Sequence, residues 1–208
     1  MEYKEMTAAE VKKCCRSLSE EILQTGYNPD LVVFIAKGAF QIGKIISENF
    51  DCPMVEINCS RKGSKLKNAL SPFFKLIPSG LKAMLREKEM NNLSKKADSE
   101  RTAEYDVVSW SKHDSAKRIL LVDDSIDSGY SMRAAYDCVK EYFAGAEVRI
   151  AVINEFEGSE KVISSDYCLL QNTLISGPWS ADSKEHKRFI ARYEEWKKQE
   201  RKNETADA

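Results

Sequence analysis

The chain reads as an α/β protein built on a mainly parallel, twisted sheet flanked by helices. Three stretches carry that reading. Leu31–Ala36 (LVVFIA), Ile119–Val122 (ILLV) and Val148–Ile153 (VRIAVI) are short runs dominated by branched aliphatic residues. Such runs suit strands buried on both faces of a parallel sheet. The first two pass through a short loop of small or polar residues into a helical pattern. Repeated strand–loop–helix units are what a parallel sheet with helical crossovers requires.

A length of 208 residues is enough for one domain with a substantial core, and we expect a single domain over 1–208. The formal net charge of −1 gives no global drive toward nucleic acid, and 31 % charged residues fit a soluble protein. No apolar run approaches a membrane span, and the opening MEYKEMTAAE is too polar for a secretory leader, so a cytoplasmic location is expected. The six cysteines (Cys14, Cys15, Cys52, Cys59, Cys138, Cys168) lack CxxC spacing and fall in apolar patterns. They read as reduced core thiols, not as a zinc site or a disulfide framework.

Thr7 to Gly26 predicts an amphipathic helix. Thr7 and Glu10 have capping-box spacing, Val11, Cys14, Cys15, Leu18, Ile22 and Leu23 recur on one face, and Gly26 is the stop. The Leu31 strand then runs into Lys37-Gly38-Ala39-Phe40 and a helix with Ile42, Ile45 and Ile46 inward. Pro53–Cys59 alternates and is the next strand, paired with the Leu31 strand as a βαβ unit. Between Arg61 and Arg101 stand eleven Lys or Arg against four Asp or Glu, with an apolar component from Phe73 to Leu85 and a turn at Pro78-Ser79-Gly80 before a helix at Leu81–Met90. Residues 60–103 therefore read as an inserted basic subdomain. It is a lid or dimer-contact element, or a surface for an acidic partner, a large anionic substrate or a membrane, or else a plainly disordered tract.

Tyr105–Trp110 and Arg118–Asp123 read as a hairpin across the polar turn SKHDSAK, which leaves His113 solvated. Ser131–Ala144 is a helix with Ala134, Ala135, Cys138, Val139, Tyr142 and Phe143 inward, stopped by Gly145. Residues 166–202 supply a strand, the Gly177-Pro178-Trp179 turn and a charged helix from Ser180 with Phe189, Ile190, Tyr193 and Trp196 on one side.

The stretch that carries chemistry is Ile119–Ser131, ILLVDDSIDSGYS. Its polar residues follow a strand and precede a helix, so they lie at the carboxyl edge of the sheet, where ligands bind. Loop amides and a helix N-terminus favour an anion such as a phosphate. Asp123 and Asp124 cannot bind phosphate directly; they suit ribose hydroxyls or a divalent metal. A sugar phosphate satisfies all of these demands.

At every class position this stretch resembles the phosphoribosyl pyrophosphate signature of type I phosphoribosyltransferases: four apolar residues, two acids, a variable loop, then Ser/Thr-Gly-x-Ser/Thr. The AKGAFQIG stretch resembles the family's pyrophosphate loop, at which a non-proline cis peptide is common. Leu174 to Trp179 resembles the hood of the xanthine-guanine branch. The resemblance implies a phosphoribosyltransferase fold with a small hood and an enlarged lid. It also implies Mg²⁺ as cofactor, phosphoribosyl pyrophosphate and a nitrogenous base as substrates, and a homodimer.

By the same resemblance Asp123 and Asp124 hold the ribose hydroxyls, directly or through Mg²⁺. The 5′-phosphate falls to Ser125, Ile126, Asp127, Ser128, Gly129, Tyr130 and Ser131, and Lys37 and Gly38 meet the pyrophosphate. Asp127 matches the acid that 6-oxopurine enzymes place near purine N7, where it takes a proton. Glu155, Leu174, Ile175 and Trp179 face the base. Two positions depart from the purine pattern: Glu155, beside Asn154, stands where those enzymes carry a lysine, although Lys161 lies nearby, and Leu174 stands where they carry a stacking aromatic. Ionised glutamate accepts hydrogen bonds and cannot donate them. The implied reaction is transfer of ribose 5-phosphate to a ring nitrogen of a purine-like base. The alternatives are a regulatory protein on the same fold that senses phosphoribosyl pyrophosphate or a nucleotide, and the same chemistry on a larger acceptor.

Overall fold

The structure, a computed structural model, describes residues 2–61 and 101–206. Its main sheet runs from edge to edge as β4 (Arg101–Tyr105), β3 (Met54–Arg61), β2 (Leu31–Ile35), β5 (Arg118–Ile126), β6 (Glu147–Glu155) and β7 (Tyr167–Gln171). Every neighbouring pair is parallel except β3–β4. The carboxyl ends of β2, β3, β5 and β6 therefore share one edge. The expected α/β class and the β2–β3 pairing are both present.

The central strand β2 is buried along its whole length. Its side chains alternate between two cores, as the strand period of two requires. Val32 and Phe34 enter the core covered by α1 (Ala8–Gln24), α2 (Phe40–Phe50) and the C-terminal helix. Leu31, Val33 and Ile35 enter the core covered by α3 (Val107–Ser111) and α4 (Tyr130–Tyr142). The C-terminal helix, α5 (His186–Ala206), begins six residues later than Ser180. Its Phe189 and Tyr193 are buried, with Ile190 and Trp196 half-buried beside them.

Helix α1 has the expected capping box: Glu10 N–H donates to Thr7 Oγ1 and Thr7 N–H donates to Glu10 Oε2. Its buried stripe is Val11, Cys15, Leu18 and Ile22, spaced by four, three and four. The stripe is narrower than the sequence suggests. Cys14 is half-buried and Leu23, one residue beyond the stripe, is 54 % exposed. All six cysteines are free thiols.

Two expectations are corrected. Tyr105–Trp110 and Arg118–Asp123 do not form a hairpin, because β5 is hydrogen-bonded on both sides, to β2 and β6. The antiparallel partner of β3 is Arg101–Tyr105. The Asp106 carboxylate accepts the N–H of Val108 and of Ser109 and so starts the short helix α3. That turn buries Trp110, whose ring stacks on Tyr105 and whose Nε1–H donates to the Glu56 carbonyl at 3.0 Å. Burial of one indole outweighs the strand propensity of Val107 and Val108, which stay exposed. His113 is half-buried rather than solvated, and burial pushes its imidazole pKa down.

The 166–202 tract is also divided. Its first strand, β7, is the edge of the main sheet, and only β8 (Thr173–Ser176) stands apart. β8 pairs in parallel with β1 (Glu2–Glu5), which the sequence left unassigned, and the two form a small second sheet. The ends of the 60–103 tract are strand: residues 60–61 pair with 101–102, the last register pair being Arg61 with Arg101. The turn and helix expected between them lie outside the described residues.

Candidate active site

The site is assembled where β2 and β5 end. Beyond β2 the chain turns through Lys37-Gly38-Ala39 into α2, closed by the Ala39 N–H to Ile35 carbonyl bond at 3.2 Å. The Ala36–Lys37 peptide is cis, one bond before the Lys37–Gly38 bond. Gly38 lies against the Asp124 carboxylate: a Cβ at that position would sit 3.3 Å from Asp124 Oδ1. The two stretches singled out in the sequence are therefore in contact.

Asp123 and Asp124 lie toward the carboxyl end of β5. Asp124 N–H donates to Asp123 Oδ1 at 2.9 Å. Burial pushes both carboxyls up, and for Asp123 the charge of Asp124 adds to burial. Asp124 is held back by a hydrogen bond from the Asp123 carboxyl, by the Ser125 N–H and by the Trp179 indole. Asp127 stands at the exposed mouth. Crowding by protein and the nearby Asp124 charge push its carboxyl up to about 6, against the opposing pull of Arg101.

After Asp127 the chain turns through Ser128 and Gly129 into α4. Gly129 has φ +79°, a left-handed conformation that favours glycine. There is also no room for a side chain, since a Cβ would meet Val162 Cβ at 2.9 Å and the Ser159 carbonyl at 3.1 Å. No side chain caps α4, so the N–H groups of its first turn, at Tyr130, Ser131 and Met132, are left for an anion. Ser125, Ser128, Tyr130 and Ser131 are all half-buried along this turn. Ile126 contributes backbone only, because its side chain is buried in the α4-side core.

The residues expected at the base fall on three parts of the chain: the end of β6, β8 and the turn after β8. Glu155, at the end of β6, is buried, and its two oxygens accept from Ser159 Oγ at 3.1 Å and from the Ser165 N–H and hydroxyl. It ties down the 156–166 loop. The neighbouring Asn154 accepts the Thr173 N–H at 2.9 Å and so joins the main sheet to the second sheet. Leu174 is half-buried and Ile175 is buried in that second sheet. Trp179 folds back over Gly177, where a Cβ would come within 2.5 Å of its ring, and its indole reaches Asp124. It therefore sits beside Asp124.

Two residues near the site had not been singled out. Arg101, the first residue of β4, lies close enough to Asp127 and to Cys59 to act on both. Tyr193 of α5 carries the Lys37 ammonium over its ring at 5.7 Å from the centroid. The only signal for Arg101 was its place at the end of the basic tract. For Tyr193 it was membership of an apolar helical stripe, which does not distinguish site from core.

A divalent cation fits the donor set, since Asp123 and Asp124 offer the carboxylate oxygens that Mg²⁺ prefers. Among the described residues no three acidic, histidine or cysteine side chains are grouped to ligate a metal alone. Mg²⁺ commonly takes one or two carboxylates and completes its shell with water and substrate phosphates.

The chain matches no curated protein in sequence. Solved structures share its fold. The xanthine-guanine-hypoxanthine phosphoribosyltransferase of Helicobacter pylori aligns with TM-score 0.61 and 16 % identity over 89 % of this chain and 97 % of that one. A purine phosphoribosyltransferase from Pyrococcus horikoshii Ot3 aligns with TM-score 0.57 and 16 % identity over 88 % and 97 %. A Neisseria gonorrhoeae hypothetical protein with bound ppGpp aligns with TM-score 0.59 and 15 % identity over 92 % and 97 %. The phosphoribosyl transferase domain model matches residues 2–186, and with the strand-end carboxylates, the anion turn and the Lys37-Gly38 loop gathered at one sheet edge, the chain belongs to that family.

Proposed function

We propose that the chain is a cytoplasmic, dimeric, Mg²⁺-dependent phosphoribosyltransferase that transfers ribose 5-phosphate from phosphoribosyl pyrophosphate to a ring nitrogen of a purine-like base. The observation that carries this reading is the contact of Gly38 with Asp124. It brings the loop suited to pyrophosphate and the acids suited to the ribose diol within one substrate's length, with Asp127 at the open side.

In this reading the α4 N-terminus and the Ser125–Ser131 turn hold the 5′-phosphate, and Asp123 and Asp124 hold the ribose hydroxyls. Lys37 and the Gly38 amide meet the pyrophosphate. The base nitrogen forms its bond to C1 as the C1–oxygen bond breaks, and that electron pair leaves with pyrophosphate. Asp124 lies near the positive charge that develops on the sugar. The proton released by the purine ring passes to the Asp127 carboxylate. Mg²⁺, held through Asp123 and Asp124, would supply charge neutralisation of the pyrophosphate.

The test is a base panel scored by pyrophosphate release. We expect turnover with at least one purine-like base and its loss on Asp127→Asn. A second reading, nucleotide sensing without transfer, draws on the bound ppGpp of the Neisseria neighbour. It predicts tight binding of phosphoribosyl pyrophosphate or ppGpp with no turnover on any base. If the Asp123→Ala/Asp124→Ala double variant binds phosphoribosyl pyrophosphate as the parent does, both readings fall.

A further inference from the structure

Lys37 is solvent-exposed, and a lone exposed lysine explores many rotamers. Here its ammonium is stationed over the ring of Tyr193, 5.7 Å from the centroid, within cation–π range. The ring itself is immobilised. Tyr193 is 2 % exposed and packs against Phe40 at 5.3 Å and Trp196 at 6.3 Å. Its hydroxyl donates to Glu56 Oε1 at 2.9 Å, which fixes the far end of the side chain. A second ammonium, Lys197 Nζ, also lies over the ring, but it is held 3.1 Å from Glu56 Oε2. Glu56 thus ties down both Tyr193 and the competing cation, and Lys37 is the cation left facing the loop. Phe40, which meets the ring edge-to-face, is the first residue of α2 and directly follows the Lys37-Gly38-Ala39 turn.

We propose that Tyr193 is a positioning residue for the leaving group: its ring, locked by Glu56 and Phe40, holds the Lys37 ammonium beside the Gly38 turn, ready for the pyrophosphate of the substrate. This rests on the assignment of the Lys37-Gly38 turn to pyrophosphate. An ammonium over a ring keeps N–H donors free on its outer side, so it can bind phosphate oxygens without leaving the ring. The C-terminal helix then acts as a third wall of the site, although no residue of α5 touches the substrate in this scheme.

The test is calorimetric binding of phosphoribosyl pyrophosphate and, as comparator, ribose 5-phosphate, which lacks the pyrophosphate. Tyr193→Leu should weaken phosphoribosyl pyrophosphate about three- to tenfold and leave ribose 5-phosphate unchanged. Tyr193→Phe keeps the ring but loses the bond to Glu56, so its phosphoribosyl pyrophosphate affinity should fall between the parent and Tyr193→Leu. Equal loss of both ligands would mark Tyr193 as merely structural and overturn the proposal, as would no loss of either. Lys37→Met separates two kinds of failure. If it leaves the preference for phosphoribosyl pyrophosphate intact, the pyrophosphate assignment of the turn itself is wrong. If it removes that preference while Tyr193→Leu does not, only the role of Tyr193 falls. Should Tyr193→Leu fail to fold, the parent still decides. The Lys37 ε-methylene protons, identified by their loss in Lys37→Met, should resonate upfield of ordinary lysines because of the ring current, and an ordinary shift would overturn the proposal.

Discussion

Asp127 shows how one side chain ties stability to activity. Its carboxyl is raised from an ordinary 3.8 to about 6, first by crowding and then by the Asp124 charge. The folded chain therefore holds a proton there that the unfolded chain has already lost between those two values. Stability contributed by this group is complete below 3.8 and falls as pH rises toward 6. Solvent contact at the mouth screens part of the effect. Asp127→Asn should therefore melt higher than the parent above pH 6, with the advantage shrinking to nothing near 3.8 in chelator-containing buffer. The opposite sign would place the charge of Asp127 in a stabilising contact. Activity should run the other way. A base must be deprotonated, so kcat/KM should fall below pH 6, and Asp127→Asn should lose about 10²- to 10⁴-fold and show no such limb. The site acids were legible in the sequence because they are contiguous with a strand and a turn. Arg101 and Tyr193 were not, because only a strand ladder and a helix crossing bring them to the site.

Elements in this fold are fixed as much by close approach as by pattern. Helix α2 lies so near β2 that a Cβ on Gly43 would stand 2.8 Å from Phe34 Cβ, an atom that cannot swing aside. Gly43→Ala would gain about 0.5–1 kcal/mol of helix propensity. Overpacking a core contact costs about 1–3 kcal/mol, so the net change should be destabilising. Thermal unfolding should show a lower midpoint, and a rise would mean that α2 moves outward freely. The central strands β2, β5 and β6 could be read from their apolar runs, since both faces are buried and no alternation is needed. Strand β4, with the sequence RTAEY, carries no such run and is an edge, so its pairing with β3 is visible only in the ladder. The same holds for β1, whose EYKE pairs with a strand some 170 residues away. Helix α3 was misread because β-branched residues begin it, whereas Asp106 and the burial of Trp110 decide its conformation.

At the scale of the molecule, charge is divided between two parts of the chain. Residues 62–100 carry nine Lys or Arg and four Asp or Glu, so the rest of the chain has a formal charge of −6 within a total of −1. The acidic remainder holds both cores, the sheet and the candidate site. The tract leaves it at Arg61 and returns at Arg101, which face each other across an antiparallel ladder that continues inward to Ile57 and Tyr105. Two strands ending opposite one another can be joined by a two-residue turn such as Asn-Gly without disturbing their register. Replacing residues 62–100 by Asn-Gly should therefore leave a single cooperative unfolding transition, because no strand order or core contact described above depends on the excised segment. Binding of phosphoribosyl pyrophosphate should persist, since its candidate contacts at Lys37, Gly38 and Asp123–Ser131 all lie outside the excision. Acceptor transfer should be lost if the tract closes over the reacting centre and excludes water. Calorimetry and a turnover assay on the same preparation separate these effects. Loss of phosphoribosyl pyrophosphate binding from a chain that still melts cooperatively would move the tract from lid to substrate site, and unimpaired turnover would leave it as a docking surface for an acidic partner.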